Sequence, residues 1–352
     1  MSENGDAPVS EPQDREAWRA LVREAAIEPD VPIIDPHHHV WPQAPMAGAE
    51  SWDRDDLFAY MTGEGHRIVA TVIVESGIAY RTQGASELAP VGETEFAETI
   101  AKEAARRGGL VGGAVSGIVA AADMMLGARV GAVLDAHIEA SPRLRGIRPS
   151  IACDPDLPYE IDTRPGMMAE PAFREAVAAL TARDLCLEVW VMHPQLAEVA
   201  DLAAACPDTT FVIDHLGSPM GVGRFAQDRR AAFADWRAGM AALAERPNVV
   251  VKLGGLNMPL TDLCADYAAR EPWTSEKMAQ VQREHILAAI DLFGPQRCMF
   301  ESNFPVDRIL TSGTVLWNAF KRMVADFTPE EKHEMFFAAA DRVYRLDAAA
   351  RL

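Results

Sequence analysis

The stretch Ile33-Ile34-Asp35-Pro36-His37-His38-His39 decides how this chain is interpreted. An apolar run that begins at Val31 ends here abruptly in one carboxylate and three imidazoles. Successive side chains of an extended chain point to opposite faces, so we expect His37 and His39 to share one face and His38 to take the other. Two imidazoles on one face at a strand end form half of a metal site or a catalytic pair, although a histidine-rich loop without chemistry is the alternative.

The rest of the chain alternates between strand and helix patterns. Further apolar runs predict strands at residues 67–75, 110–120, 144–148, 185–192, 210–214, 248–253 and 297–301. Helical spacing separates them, and two more helices are predicted near residues 314–326 and 328–345. Alternating strands and helices predict a parallel sheet, and eight such units predict a closed (β/α)8 barrel. We therefore predict the α/β class, as a TIM barrel with an extra C-terminal helix.

The domain organisation follows from where the alternation of strands and helices begins. Residues 1–30 are acidic, contain several prolines and predict a solvated, flexible N-terminal segment. Within it, the pattern of residues 17–27 allows one or two amphipathic turns, either packed against the body or loose. No low-complexity linker divides the rest, so residues 31–352 are predicted to form a single barrel domain.

Composition excludes several classes of protein. The chain has 352 residues and a formal net charge of -19, which argues against non-specific binding to nucleic acid or to an anionic membrane. Five widely spaced cysteines without a C-x-x-C pair indicate free thiols in a reducing compartment. No secretory signal and no apolar run of about 18 residues is evident. We expect a cytoplasmic protein with a small-molecule substrate, and association into a homo-oligomer stays open.

Polar side chains recur at the predicted carboxyl ends of the strands. They are Asp35, His37 and His39, then Glu75, Arg145 and Arg148, then Glu188, His193, Asp214, His215 and Lys252, and finally Glu301, Ser302 and Asn303. Barrel active sites form at this end, and burying charges without partners is costly, so a shared site explains the recurrence better than chance. Structural alternatives stay open for Asp35 and Lys252, as inward-facing ion pairs, and for Arg145, as a loop cap.

Ordered motifs between residues 31 and about 310 carry a family resemblance. They are His37-x-His39, Gly146-Ile-Arg148, His193-Pro-Gln195-Leu196, Phe211-Val-Ile-Asp-His215-Leu-Gly217, Val251-Lys-Leu-Gly-Gly-Leu256 and Arg297-Cys-Met-Phe-Glu-Ser-Asn-Phe-Pro-Val-Asp307. The set resembles the amidohydrolase superfamily, and more narrowly its branch of sugar lactonases and 2-pyrone-4,6-dicarboxylate lactonase. The resemblance implies a site at which His37, His39 and His215 hold a divalent metal, zinc or manganese, or line the site as histidines alone.

Two positions depart from the family pattern. Asn303 stands where much of the family has an aspartate that holds the metal or activates water. An amide cannot act as a carboxylate base, and it binds metal only through a neutral oxygen. Glu301 or Asp307 would then take its place. Pro149 stands where many relatives carry a histidine, which puts a substrate contact from that loop in doubt.

Our leading hypothesis is a hydrolase that acts on a carboxylic ester, with a lactone of a sugar acid or of an aromatic-ring-cleavage product as the expected substrate. The candidate catalytic residues are Glu301, Asp307, Asn303 and His215, the candidate substrate-binding residues are Arg148, Glu75, Lys252 and His193, and the candidate metal ligands are His37, His39 and His215. A metal-dependent decarboxylase or hydratase is the alternative within the superfamily. Asn303 also motivates a third possibility, a barrel that binds a ligand without turnover.

Overall fold

The computed structural model describes residues 15–44, 50–157, 163–266 and 268–352. Eight parallel strands pair in chain order, each with the next. They are β1 (Pro32–His38), β2 (Arg67–Val74), β3 (Gly117–Ala120), β4 (Leu144–Ile147), β5 (Cys186–Val189), β6 (Phe211–Ile213), β7 (Val249–Leu253) and β8 (Cys298–Phe300). The predicted α/β barrel is confirmed. Most strands are shorter than predicted, and β3 starts only at Gly117.

The barrel closes between β1 and the residues that follow β8. The backbone N–H of His39 donates to the carbonyl of Phe304 at 2.7 Å, and that of Asn303 donates to the carbonyl of His37 at 3.0 Å. His38 and Phe304 also form a parallel bridge. This closure places the histidine-rich end of β1 directly beside the end of β8.

Eleven α-helices are assigned within the described ranges, and most of them cover the outside of the barrel. They are α1 (Arg15–Arg19), α2 (Arg54–Gly63), α3 (Val91–Arg107), α4 (Val130–Ala140), α5 (Pro171–Thr181), α6 (Leu196–Ala205), α7 (Arg229–Ala244), α8 (Ser275–Phe293), α9 (Gly313–Met323), α10 (Pro329–His333) and α11 (Ala339–Tyr344). The sequence pattern did not predict helix α2, although Asp53 and Asp56 form a capping box at its start. None of these helices has the length and apolarity that crossing a membrane requires.

The inward-facing side chains form an apolar layer below a charged layer. Cys186, Val212, Val250 and Met299 belong to one buried apolar cluster. Two positions further along the same four strands or their ends stand Glu188, Asp214, Lys252 and Glu301, all buried. Because side chains alternate along a strand, these residues point into the barrel as well, one level closer to its carboxyl end.

The C-terminal helix covers the amino end of the barrel. Phe337, Tyr344 and Leu346 pack against the inward apolar layer. Arg345, which follows this helix, donates to the carbonyl of Asp184, two residues before the start of β5. The predicted extra C-terminal helix therefore blocks one end of the barrel, and a substrate site has to open at the other.

The described part of the N-terminal segment packs against the barrel. Trp18 in α1 is buried, and Lys321 in α9 donates to the carbonyls of Ile27 and Glu28. Of the two possibilities for residues 17–27, the packed arrangement is the one observed. Residues 1–14 of the predicted flexible segment lie outside the described residues.

Candidate active site

His37 lies at the centre of the buried polar cluster at the carboxyl end of the barrel. Its Nδ1 is 3.0 Å from Glu301 Oε2 and 3.1 Å from Lys252 Nζ. The same nitrogen is 3.5 Å from Asp214 Oδ1. One imidazole therefore faces two carboxylates and an ammonium group, which come from three different strands.

His38 and His39, which follow His37 in the chain, point to opposite sides of β1, as predicted. His39 Nε2 lies 3.3 Å from His37 Nε2, whereas His38 Nε2 lies 2.9 Å from the hydroxyl of Thr71 on the other side. His39 Nδ1 is 2.9 Å from the carbonyl of Val74. Because a carbonyl only accepts, His39 Nδ1 carries the proton and the lone pair on its Nε2 faces His37.

His215 is held by a carboxylate in a strained turn. Its φ is 53°, in the left-handed region that few residues other than glycine adopt. Glu301 Oε1 accepts from the backbone N–H of His215 at 3.1 Å and from its Nδ1 at 2.7 Å. A Cβ atom at Gly255 would lie 2.2 Å from His215 Nδ1, so only glycine fits beside this ring. The carboxylate fixes the proton on Nδ1 and leaves the lone pair on Nε2.

Arg148 connects the end of β4 to the end of β2 and to the cluster. Its Nε donates to Glu75 Oε1 at 2.9 Å, and a terminal nitrogen donates to the carbonyl of Glu75 at 2.6 Å. The other terminal nitrogen lies 3.3 Å from Asp214 Oδ2 and 3.3 Å from His37 Nε2. Glu75 thus orients the guanidinium group, and Arg148 lies at the edge of the charged layer nearest the carboxyl end of the barrel.

Lys252, predicted as a substrate contact, is fully buried inside the barrel. Its Nζ lies 2.6 Å from Glu188 Oε2 and 3.1 Å from Asp214 Oδ1. Burial alone would lower the pKa of Lys252, but the two carboxylates hold it above its ordinary value. These contacts are those of an inward-facing ion pair, in which Lys252 neutralises carboxylates inside the barrel. Asp35, for which an inward-facing ion pair was also considered, accepts from the backbone N–H of Ser302 at 2.9 Å.

His193 is placed apart from the cluster. Its Nδ1 accepts from the backbone N–H of Met220 at 3.0 Å, and its ring lies 4.4 Å from the ring of Phe225. Its Nε2 is 3.6 Å from a carboxylate oxygen of Asp235 in α7. The predicted substrate contact therefore lies against the β6–α7 connection.

The two carboxylates that were predicted as candidate bases differ in their surroundings. Burial would raise the pKa of Glu301, but the neighbouring His215 and His37 lower it to about 2. Asp307 accepts from the backbone N–H of Asn257 at 3.0 Å and from Asn303 Nδ2 at 2.9 Å. Burial raises the pKa of Asp307 to about 7, since these donors and the nearby His215 only partly oppose it. The side chain of Asn303 supports Asp307, while its backbone closes the barrel.

Within the part of the chain that the structure describes, one group of side chains suits a metal ion. The ligand atoms of His37, Asp214 and His215 lie within 4.8 Å of one another. Two imidazoles and one carboxylate make up the donor set of many catalytic zinc sites. Asp214 Oδ1 is buried and receives no well-aligned hydrogen bond, although Lys252 Nζ lies 3.1 Å from it, so this oxygen has a lone pair for a metal ion. The residues present therefore fit a divalent ion.

This group differs from the predicted ligand set in one member. Asp214 takes the place of His39, which contacts His37 but does not belong to the group. The signal for Asp214 was present in the sequence, because it directly precedes His215 at the end of a predicted strand. The family resemblance favoured the three histidines over it.

Comparisons with known proteins agree with this geometry. The model of the amidohydrolase family matches residues 34–346. The uncharacterized protein y4mH of Sinorhizobium fredii is 29% identical over 328 residues, which cover 90% of this chain and 99% of that protein. L-fucono-1,5-lactonase of Burkholderia multivorans is 31% identical over 209 residues, 59% of this chain and 65% of the lactonase. The crystal structure of an amidohydrolase from Burkholderia multivorans with bound zinc has a TM-score of 0.67 and 25% identity, covering 89% of this chain and 99% of that one.

Proposed function

The chain belongs to the amidohydrolase family, and from this premise we propose that it is a hydrolase that opens a lactone of a small organic acid. Water would attack the ring carbonyl, the ring C–O bond would break, and a hydroxy acid would leave. The family match over residues 34–346 supports a hydrolase, and the similarity to L-fucono-1,5-lactonase supports a lactone as the substrate class. A lactone of a sugar acid is the first class to test.

The hydrogen-bonded pair of Glu301 and His215 is the observation that carries this proposal. Glu301 fixes the proton on His215 Nδ1 at 2.7 Å, so Nε2 presents a lone pair. His215 keeps 3% of its surface exposed, whereas Glu301 and Asp307 have none. We therefore assign the contact with water and substrate to His215, and we treat Glu301 as the residue that positions it.

With a divalent ion bound, the same lone pair would coordinate that ion instead. His37, Asp214 and His215 would hold a divalent ion, which would polarise the ester carbonyl and lower the pKa of a water molecule. Glu301 contributes by keeping His215 Nε2 unprotonated. Lys252 and Arg148 lie against Asp214 and offset part of its charge.

Arg148 is the candidate for binding the acidic part of the substrate or product. It keeps 7% of its surface exposed, and Glu75 fixes the orientation of its guanidinium group. A guanidinium pairs well with a carboxylate or with the negative oxygen that forms when water attacks an ester. Ring opening creates a carboxylate, so Arg148 would interact more strongly with product-like states than with the neutral lactone.

The test is a panel of sugar-acid and aromatic-derived lactones assayed by acid release with a pH indicator, with zinc or manganese supplied. We expect turnover by the wild type and a loss of about a thousandfold in kcat/KM for His215→Ala. His193→Gln is the matched control, because this histidine also follows a strand but lies outside the cluster. It should retain activity within a few-fold of wild type. Absence of turnover across the panel, or full activity in His215→Ala, would contradict the proposal, and release of carbon dioxide would indicate a decarboxylase instead.

A further inference from the structure

The N-terminal residues 15–30 precede the part of the chain that the family model matches, which begins at residue 34. They nevertheless contact connections that surround the carboxyl end of the barrel. We name residues 15–30 the N-terminal clamp. Two sets of its contacts matter here, one with the connections around the candidate site and one with helix α9. Glu24 also accepts from the backbone N–H of Ser275 at the start of α8, and Glu28 contacts Lys332 in α10.

Trp18 links the clamp to the connection between β7 and α8. Its side chain is 2% exposed, and its Nε1 donates to the carbonyl of Ala269 at 2.9 Å. A buried indole with a paired N–H fixes both the position and the orientation of its neighbour. The β7–α8 connection also contains Gly255, which lies against the ring of His215.

Arg19 links the clamp to two further connections. One of its terminal nitrogens lies 2.8 Å from Glu50 Oε2, in the connection between β1 and α2. The same nitrogen donates to the carbonyl of Arg308 at 3.1 Å, in the connection between β8 and α9. Arg308 in turn lies 3.3 Å from Glu50 Oε2, so one carboxylate is shared by two guanidinium groups. Since the side chain of Arg19 is only 5% exposed, this pair is better shielded than an ordinary surface ion pair.

The connections that the clamp contacts meet close to the candidate site. Asp307 directly precedes Arg308 and accepts from Asn303 at the end of β8. Asp307 also accepts from the backbone N–H of Asn257, in the β7–α8 connection. A shift of Arg308 would therefore be transmitted to both connections through Asp307.

The far end of the clamp is attached independently. Asn318 Oδ1 accepts from the backbone N–H of Ile27 at 2.8 Å, and Lys321 Nζ donates to the carbonyls of Ile27 and Glu28 at 3.0 and 2.7 Å. These partners lie on α9 rather than on the connections around the site. Substitutions at Trp18 and Arg19 can therefore release the connections while the rest of the clamp stays attached.

We propose that Trp18 and Arg19 are positioning residues. They hold Glu50, Ala269 and Arg308, and with them the described parts of the β1–α2, β7–α8 and β8–α9 connections, in their substrate-binding arrangement. This inference rests on the proposed hydrolase function. A connection that samples other arrangements binds substrate only in the competent fraction, so the apparent affinity falls in proportion to that fraction. Substitution should consequently raise KM much more than it lowers kcat, because His37, His215 and Glu301 at the ends of β1, β6 and β8 are held by contacts with one another.

The kinetic test compares Arg19→Ala, Arg19→Lys and Trp18→Phe with Arg23→Ala on the same lactone. Arg23 is the matched control, because it is exposed and donates to the carbonyl of Ala20 in its own segment. We expect Arg19→Ala to raise KM about tenfold with kcat changed less than about twofold. Arg19→Lys should recover part of the loss, Trp18→Phe should raise KM less, and Arg23→Ala should match wild type. Equal KM values, or a fall in kcat alone, would overturn the proposal.

Hydrogen exchange decides the same question without a substrate. Arg19→Ala should exchange faster than wild type in peptides that cover residues 257–274 and 303–312, and Arg23→Ala should not. Unchanged exchange in both regions would overturn the clamp even if activity falls. If the wild type opens no lactone, the proposed function fails, while the exchange measurement still supports or refutes the role of Arg19.

Discussion

Two buried carboxylates lie in neighbouring regions after β8, and their surroundings shift their pKa values in opposite directions. Glu301 faces the imidazoles of His37 and His215, which lower its pKa to about 2. Asp307 faces the neutral amide groups of Asn257 and Asn303, and burial raises its pKa to about 7. Both side chains are fully buried, so burial does not distinguish them. The neighbouring side chains do, because two titratable imidazoles face Glu301 whereas amide groups donate to Asp307.

The difference separates a charged centre from a neutral pocket. The charged centre comprises His37, Asp214, His215, Lys252 and Glu301, and we assign the chemistry to it. The neutral pocket, formed by Asn257, Asn303 and Asp307, joins two connections at the mouth of the barrel.

This comparison also gives a physical reason for Asn303. Its Nδ2 donates to Asp307 Oδ1 at 2.9 Å. An aspartate at this position would place two carboxylates at that separation, and like charges so close cannot both ionise at low cost. The amide at position 303 is therefore matched to the carboxyl group of Asp307.

The largest expected effect comes from exchanging each carboxylate for its amide. Glu301→Gln should lower kcat/KM for a lactone by about a thousandfold, because a neutral amide no longer fixes the proton on His215 Nδ1. Asp307→Asn, the matched exchange in the neutral pocket, should lower it by less than about tenfold. Thermal melting of both variants controls for folding. Equal losses would remove the distinction between the two regions.

Metal binding should divide the regions in the same way. After dialysis against a chelator, the wild type should take up about one divalent ion per chain, measured by elemental analysis, since the group fits a three-ligand site. Asp214→Asn should weaken zinc binding by at least about a hundredfold, because it removes a ligand rather than an outer partner. Asp307→Asn should bind as wild type does. A wild type that takes up no ion, or an Asp214→Asn variant that binds equally well, would contradict the assignment.

The raised pKa of Asp307 predicts a pH dependence of stability. Its folded pKa of about 7 lies above the ordinary value of 3.8, so the folded state binds the proton more tightly than the unfolded state does. The free energy of unfolding should therefore fall as pH rises from about 4 to about 7, and the full cost, at most a few kcal/mol, should be present above that range. Asp307→Asn removes this cost.

Urea denaturation of both proteins at about pH 5 and about pH 8 measures the effect. The free energy of unfolding of Asp307→Asn, relative to that of the wild type, should be larger at the higher pH. Other titrating groups are common to both proteins, so they cancel in this comparison. If the difference in free energy of unfolding between the two proteins does not change with pH, Asp307 is ionised at both pH values. The pocket around it would then not be neutral.

The barrel and the location of the site could be predicted because both depend on local patterns. Apolar runs of strand length alternate with helical spacing, and the carboxyl ends of parallel strands share one edge of the barrel. That rule alone brings His37, Arg148, His215 and Glu301 together. The alternation of faces along an extended chain likewise separates His38 from its two histidine neighbours.

The roles of individual residues could not be predicted in the same way, because they depend on partners that are distant in the sequence. Lys252 is committed to Glu188 in another strand, and Tyr344 from the C-terminal helix completes that contact. His193 follows a strand as His215 does, yet its ring lies against Phe225 in the β6–α7 connection. No periodicity distinguishes a side chain that turns toward the barrel axis from one that turns toward a neighbouring helix.

The smallest expected effect concerns the side of the charged centre that faces the C-terminal helix. Tyr344 donates its hydroxyl to Glu188 Oε1 at 2.5 Å, while Lys252 holds the other oxygen at 2.6 Å. Tyr344→Phe should lower the free energy of unfolding by about 1–2 kcal/mol, because it removes one hydrogen bond to a buried carboxyl group that keeps its second partner. Activity should stay within about threefold of wild type, since Lys252 still faces Asp214 and His37.

Urea denaturation and kcat/KM of Tyr344→Phe measure both quantities. A stable Tyr344→Phe variant with a loss of activity close to that of Glu301→Gln would contradict the boundary drawn here. In that case the state of Glu188 would control the chemistry through Lys252 and His37. The charged centre would then extend along the barrel axis to α11, and the helix that blocks the amino end would be part of the catalytic apparatus.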